Sequence, residues 1–218
     1  MKGIIQIALW IVIALLGYVI YNSIQEPIEF EKTKKKRYMP VLKKLEDIRI
    51  SEIAYKDVNG HYTDDFDDLV SFIDTAEFVI TQSRDTSYLD EEYKEIYGVD
   101  KYVPDVIIDT LGFSSVKDSL FKDTDRYKEM MYIPNTDKKE KFELDAGAII
   151  VNDNDIPVFE ARVDKAIILE GLNKNLIEIE KEKQSVDDIN GPYIKVGSMN
   201  RVTDSGNWPK DYGKKSKN

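Results

Sequence analysis

One histidine and no cysteine stand in this chain of 218 residues, so the side chains that most often carry covalent or metal chemistry are nearly absent. Without thiols there is no disulfide, no thiolate ligand and no cysteine nucleophile. His61 follows an Asn59-Gly60 turn signal, and no G-x-S-x-G elbow offers it a serine to activate. A zinc site with one imidazole and no thiolate would be mostly carboxylate, against the metal's usual donor set. Glycine-rich phosphate loops and dinucleotide fingerprints are missing as well. Carboxylate-only chemistry of the glycosidase kind needs two of the 41 acids paired in space, which spacing along the chain does not reveal.

Two acidic runs have simpler readings than cation binding. Asp64, Asp65, Asp67 and Asp68 lack the alternate-residue spacing, central glycine and closing glutamate of an EF-hand loop. They precede Phe66, Leu69, Val70 and Ile73 at helical spacing, so they suit the positive end of a short helix capped by Thr63. Asn152-Asp153-Asn154-Asp155 lies between two apolar runs and reads as a hairpin connection. The expectation is a non-enzymatic protein with no catalytic residue, cofactor or metal.

Among the elements that organise these residues, the N-terminal apolar run is the clearest. From Ile4 to Tyr21 the chain is uncharged and carries one strongly polar side chain, Gln6. A helix needs about 20 residues to cross a bilayer core of roughly 30 Å, and this run is long enough. Ile4, Trp10, Leu15, Tyr18 and Tyr21 mark the anchor, with Tyr18 and Tyr21 at headgroup level. No A-x-A-like cleavage site follows, so a retained single span is expected rather than a removed signal. Lys34, Lys35, Lys36 and Arg37 come shortly after the span and are candidates for contact with lipid headgroups.

The domain plan is a flank at 1–3, an anchor at 4–21, a juxtamembrane and stem helix at 22–58, a soluble domain at 59–190 and a turn-rich basic tail at 191–218. In the stem, Tyr38, Val41, Leu42, Leu45 and Ile48 recur at three- and four-residue spacing, and Pro40 predicts a kink or a fresh helix start near Met39. Strand candidates follow at Glu77–Thr81, Val106–Ile108, Lys128–Ile133, Lys141–Val151 and Val158–Ile168, and Leu169–Lys183 fits a strand or a short helix. The fold class is therefore α+β: a transmembrane helix and an amphipathic stem packed on an antiparallel sheet domain. The insertion after the first strand carries Tyr88, Tyr93, Tyr97 and Tyr102, a candidate partner face because phenol hydroxyls are costly to bury unpaired; the alternative is that they pack the sheet edge with their hydroxyls in water.

A net charge of −10 repels phosphate backbones, and no basic stripe with interleaved aromatics offsets it, so nucleic acid is not an expected partner. The order of features carries a resemblance: an apolar N-terminal helix running into an amphipathic stem, the pair Ala54-Tyr55, then Asn59-Gly60, Tyr62 and a short helix with Phe66 and Leu69. Over its first third the chain resembles type IV pilins and the pseudopilins of type II secretion. It departs from them in having no Gly-Phe-Thr-Leu-Ile-Glu-like processing site and no glutamate within the apolar run. The resemblance implies a structural or interaction component of a bacterial envelope apparatus, in secretion, surface motility or a pilus-like assembly. Its partners would be other envelope or membrane proteins and the bilayer itself. Basic residues after the span favour a cytoplasmic domain, but long domains translocate largely regardless of charge. The resemblance places the domain in the periplasm, tethered to the inner membrane; a tethered module for sensing a ligand or the cell wall is the alternative.

Overall fold

A computed structural model describes residues 2–136 and 140–212; the side chain of Ile4 and the basic residues Lys214, Lys215 and Lys217 lie outside the described residues. Helix α1 runs from Lys2 to Asn59, 58 residues without interruption, through both Pro27 and Pro40. At 1.5 Å per residue it is roughly 87 Å long. No fresh helix starts near Met39, one of the two outcomes that Pro40 suggests. A helix-interior proline forfeits a hydrogen bond at a cost of about 3 kcal/mol, but Tyr38, Val41, Leu42, Leu45 and Ile48 around it are all buried, and their packing outweighs that loss.

From Ile5 to Ile28 the apolar side chains of α1 stand exposed, Trp10, Leu15, Tyr18 and Tyr21 among them. This half is long and apolar enough to cross a membrane. The second half joins the core. Its buried stripe shares one cluster with Leu69 and Ile73, with Phe121, Tyr127 and Met130, and with Phe159, Ala161, Val163, Ile194 and Val196.

Helix α2 spans Phe66–Thr75. Its N-cap is Asp65, whose side chain accepts from the Asp67 amide at 2.7 Å, rather than Thr63, which instead accepts from the Asp65 amide. Strand β1 follows at Glu77–Leu89, then α3 at Glu91–Tyr97, β2 at Tyr102–Ser115 and α4 at Val116–Phe121. A 3-10 turn occupies Arg126–Glu129 where a strand was expected. Tyr127, Met130 and Met131 are spaced as on a helix face, and all three are buried; only an isolated bridge from Tyr132 to Lys141 remains of that strand.

The main sheet has the order β3-β4-β5, from Glu143–Val151, Asn154–Asp164 and Tyr193–Gly197. Asn152 and Asp153, at φ 50° and 63°, form the two-residue turn between β3 and β4, and two positive φ values match the right-handed twist of the strands. Strand β4 ends earlier than expected because the Asp164 carboxylate caps a short helix α5, Lys165–Ile168, at the Ala166 amide. Helix α6 follows at Lys174–Glu182, capped by Asn173. Residues 191–212 are no loose tail. They supply β5, then return so that the Gly197 amide donates to Ser205 and the Asn207 amide to Lys195, and they end with Tyr212 buried on Tyr38.

Candidate functional site

Among the described residues, strands β1 and β2 pair only with each other, in a second sheet separate from the first, so the insertion is an arm rather than part of a single sheet. At about 3.4 Å per residue its thirteen-residue strand reaches roughly 40 Å. Nearly every residue along β1 is exposed. The two ends of the arm meet at its base, where the Val116 amide donates to the Ala76 carbonyl at 3.0 Å. An Arg84–Asp109 ion pair at 2.7 Å ties the strands midway, and the Asp90 side chain caps α3 at the tip by accepting from the Tyr93 amide.

The four tyrosines of the candidate partner face gather at the distal end. Tyr93 and Tyr97 lie on α3 with ring centroids 4.5 Å apart, and the Lys101 ammonium stands 4.6 Å from the Tyr93 ring. Tyr88 pairs with Val103 and Tyr102 with Leu89. Adjacent pairs point to opposite faces of a ribbon, so Tyr88 and Tyr102 do not share one surface.

Sequence reasoning missed the larger feature. Val79, Ile80, Val106, Ile107, Ile108, Leu111 and Phe113 are exposed along the arm, Ile108 to 67% and Phe113 to 65%. An apolar run such as Val106-Ile107-Ile108 reads in sequence as a buried strand, because burial is the usual fate of β-branched residues. A two-stranded ribbon has no second layer to cover it, and isolated ribbons of this kind are marginal in water. These exposed apolar side chains are divided between the two faces of the ribbon.

The basic run after the anchor divides. Lys35 and Lys36 are exposed and open to headgroup contact. Lys34 is fully buried, its ammonium donating to Glu31 at 3.0 Å, Glu180 at 2.9 Å and Asp188 at 3.1 Å. Arg37 donates to the carbonyls of Ile168 and Glu170. These two are therefore bound to the domain's own C-terminal half, not turned toward lipid. Burial by itself would pull Lys34 down, but the three carboxylates outweigh it and hold the ammonium well above the ordinary lysine range. Burial would likewise raise Asp188, yet Lys183, the Ile189 amide and Lys34 bring it down to about 2. The second buried lysine, Lys165, donates to Glu180 and to the Ile189 carbonyl; burial lowers it, with Glu180 opposing. Glu31, Glu180 and Asp188 approach within 4.8 Å of one another, a spacing that suits a cation, and the cation there is the Lys34 ammonium.

His61 sits exposed in the turn after α1 and lines an open cleft of about 500 Å³ with Tyr62, Asp64, Asp155 and the small residues Ala146, Gly147 and Ala148 of β3. Among the described residues, no serine or threonine lines it. Beneath this turn Glu52 is buried, one oxygen accepting from the Thr63 amide at 3.2 Å and the other without a partner. Burial pushes its carboxyl up to about 8, against the Thr63 hydrogen bond. No protein-family model, curated protein or solved structure matches the chain.

Proposed function

We propose that the protein is a non-enzymatic, membrane-tethered interaction component of a bacterial cell-envelope assembly, anchored in the inner membrane by one span with its domain in the periplasm. The exposed ribbon arm is the observation that carries this reading. An arm that buries almost nothing of itself is built to be covered by something else. The tether has separate support: about six turns of α1 present apolar side chains on every side, a surface that water penalises and lipid does not. The stem is fastened at its base, where Asn173 donates to Glu26 at 2.6 Å, five residues beyond Tyr21, so the domain stands close to the end of the span. A long helix with one free apolar half and one half inside a domain also accords with the pilin-like order of features, which supports a role in secretion, surface motility or a pilus-like apparatus.

The test compares three tagged chains in membranes: full length, a chain starting at Glu29, and a full-length chain whose residues 78–114 are replaced by Asn-Gly. Carbonate washing is expected to leave the full-length and armless chains in the membrane and to release the Glu29 chain. Mild-detergent purification is expected to retain the same envelope proteins with the first two arm-bearing chains and to lose them from the armless one. Release of the full-length chain by carbonate would sink the tether. Identical partners with and without the arm would sink the docking role.

A further inference from the structure

Cross-strand partners in a ribbon lie on one face, and alternate residues of a strand share that face. Val79, Thr81, Ser83, Asp85, Ser87 and Leu89 of β1 therefore share a face with their partners Phe113, Thr110, Ile108, Val106, Pro104 and Tyr102, the register shifting at a bulge between Ile80 and Thr81. Along β2 from Tyr102 to Ile108, every residue on this face is apolar. The opposite face carries the Arg84–Asp109 ion pair.

Charge identifies what can cover it. Residues 77–115 hold nine acidic side chains against three basic ones, a net −6 out of the chain's −10. An arm of that charge is repelled by anionic headgroups, by nucleic acid and by the arm of a second copy. Pro104 and the charges at Asp85, Asp105 and Asp109 further discourage strand-to-strand pairing between copies, as such residues do on exposed edges. We infer that the Phe113–Ile108–Val106–Tyr102 face of the arm docks into an apolar-floored groove rimmed by lysine or arginine on a different protein. This rests on the interaction reading above and adds to it a face and a partner chemistry.

Site-specific photocrosslinking of the full-length chain in its own membranes tests the inference. Benzoylphenylalanine replaces Ile108, on the docking face, or Ile107, on the other; both positions are exposed, so neither substitution disturbs the core. From Ile108 the expected product is an adduct with a different protein, and peptide mass spectrometry is expected to map it to a segment of net positive charge. The yield from Ile107 should be several-fold lower. Asp85→Lys with Asp105→Lys should cut the Ile108 yield by about tenfold, as should about 0.5 M salt. An adduct of two copies, a phospholipid adduct, a partner segment without net positive charge, no adduct, equal yields from both faces, or a yield indifferent to charge reversal each overturns the proposal. Carbonate washing of the same membranes separates the two readings. A chain that leaves the membrane while keeping its adduct removes the tether and preserves the docking face; a chain that stays without an adduct does the reverse.

Discussion

Lys34 fastens the stem of α1 to the far end of the chain, joining Glu31 of its own helix to Glu180 and Asp188 across some 150 residues. Removing one member of a buried charge group strands the others, at about 3–5 kcal/mol. Lys34→Met is thus expected to lower denaturant stability by that order, whereas Lys35→Ala with Lys36→Ala should leave stability nearly unchanged and weaken binding to anionic vesicles. Equal stability for the two variants would contradict the buried role. Glu52 sets the alkaline side of the stability profile. Its folded pKa is raised, so the fold prefers the proton; that stabilisation is complete below about 4.5 and drains away as pH rises to about 8. Glu52→Gln should flatten the profile over this window, a difference on the order of 4–5 kcal/mol at its upper end, measured by denaturant melts at several pH values. Asp188 works in the other direction. Its pKa is depressed, so its contribution is present above about 4 and is lost as pH falls toward 2. None of this was legible in the sequence, where Lys34 is one of five basic residues between 32 and 37 without a sign of which one turns inward.

Elements were readable where a single local pattern decided them. The apolar N-terminal helix, the 38-41-42-45-48 stripe, the capped helix after Asn59 and the Asn152-Asp153 turn each follow from spacing or turn chemistry within a short window. The segments that misled depend on distant contacts. Lys128–Ile133 has strand composition but folds around buried Tyr127 and Met130, and β5 looked like tail because its partner β4 lies some thirty residues earlier. Gly197 shows why β5 ends where it does. Its φ is 76°, and a Cβ there would sit 2.2 Å from the Phe159 carbonyl oxygen, which is backbone and cannot step aside. Gly197→Ala should cost about 3 kcal/mol or more, combining a left-handed backbone with a main-chain clash. Gly171→Ala has a similar φ, 84°, but open space around the new methyl, so it should cost only about 1 kcal/mol. Comparing the two thermal midpoints isolates the close approach from the backbone conformation.

At the scale of the whole molecule the chain divides its apolar surface three ways: a core, a free half-helix and an arm. A fold held together by burial gains nothing from the third unless another surface completes it, and the hydrogen bonding at the base shows how separable it is. Ala76 and Val116 meet directly through a 3.0 Å hydrogen bond, and β1 and β2 pair with no strand of the main sheet. Replacing residues 78–114 by Asn-Gly keeps that junction and asks the core to close only a short turn. The armless chain should therefore unfold cooperatively within a few degrees of the full chain, since a stability change of about 1 kcal/mol moves the midpoint of a domain this size by roughly 2–4 °C. A midpoint lower by 10 °C or more, roughly 3 kcal/mol on that scale, would mean that the ribbon props up the core, and its apolar face would then need an explanation within the fold rather than outside it. An unchanged midpoint together with lost partner binding would fix the arm as a device carried by the domain and folded against something else.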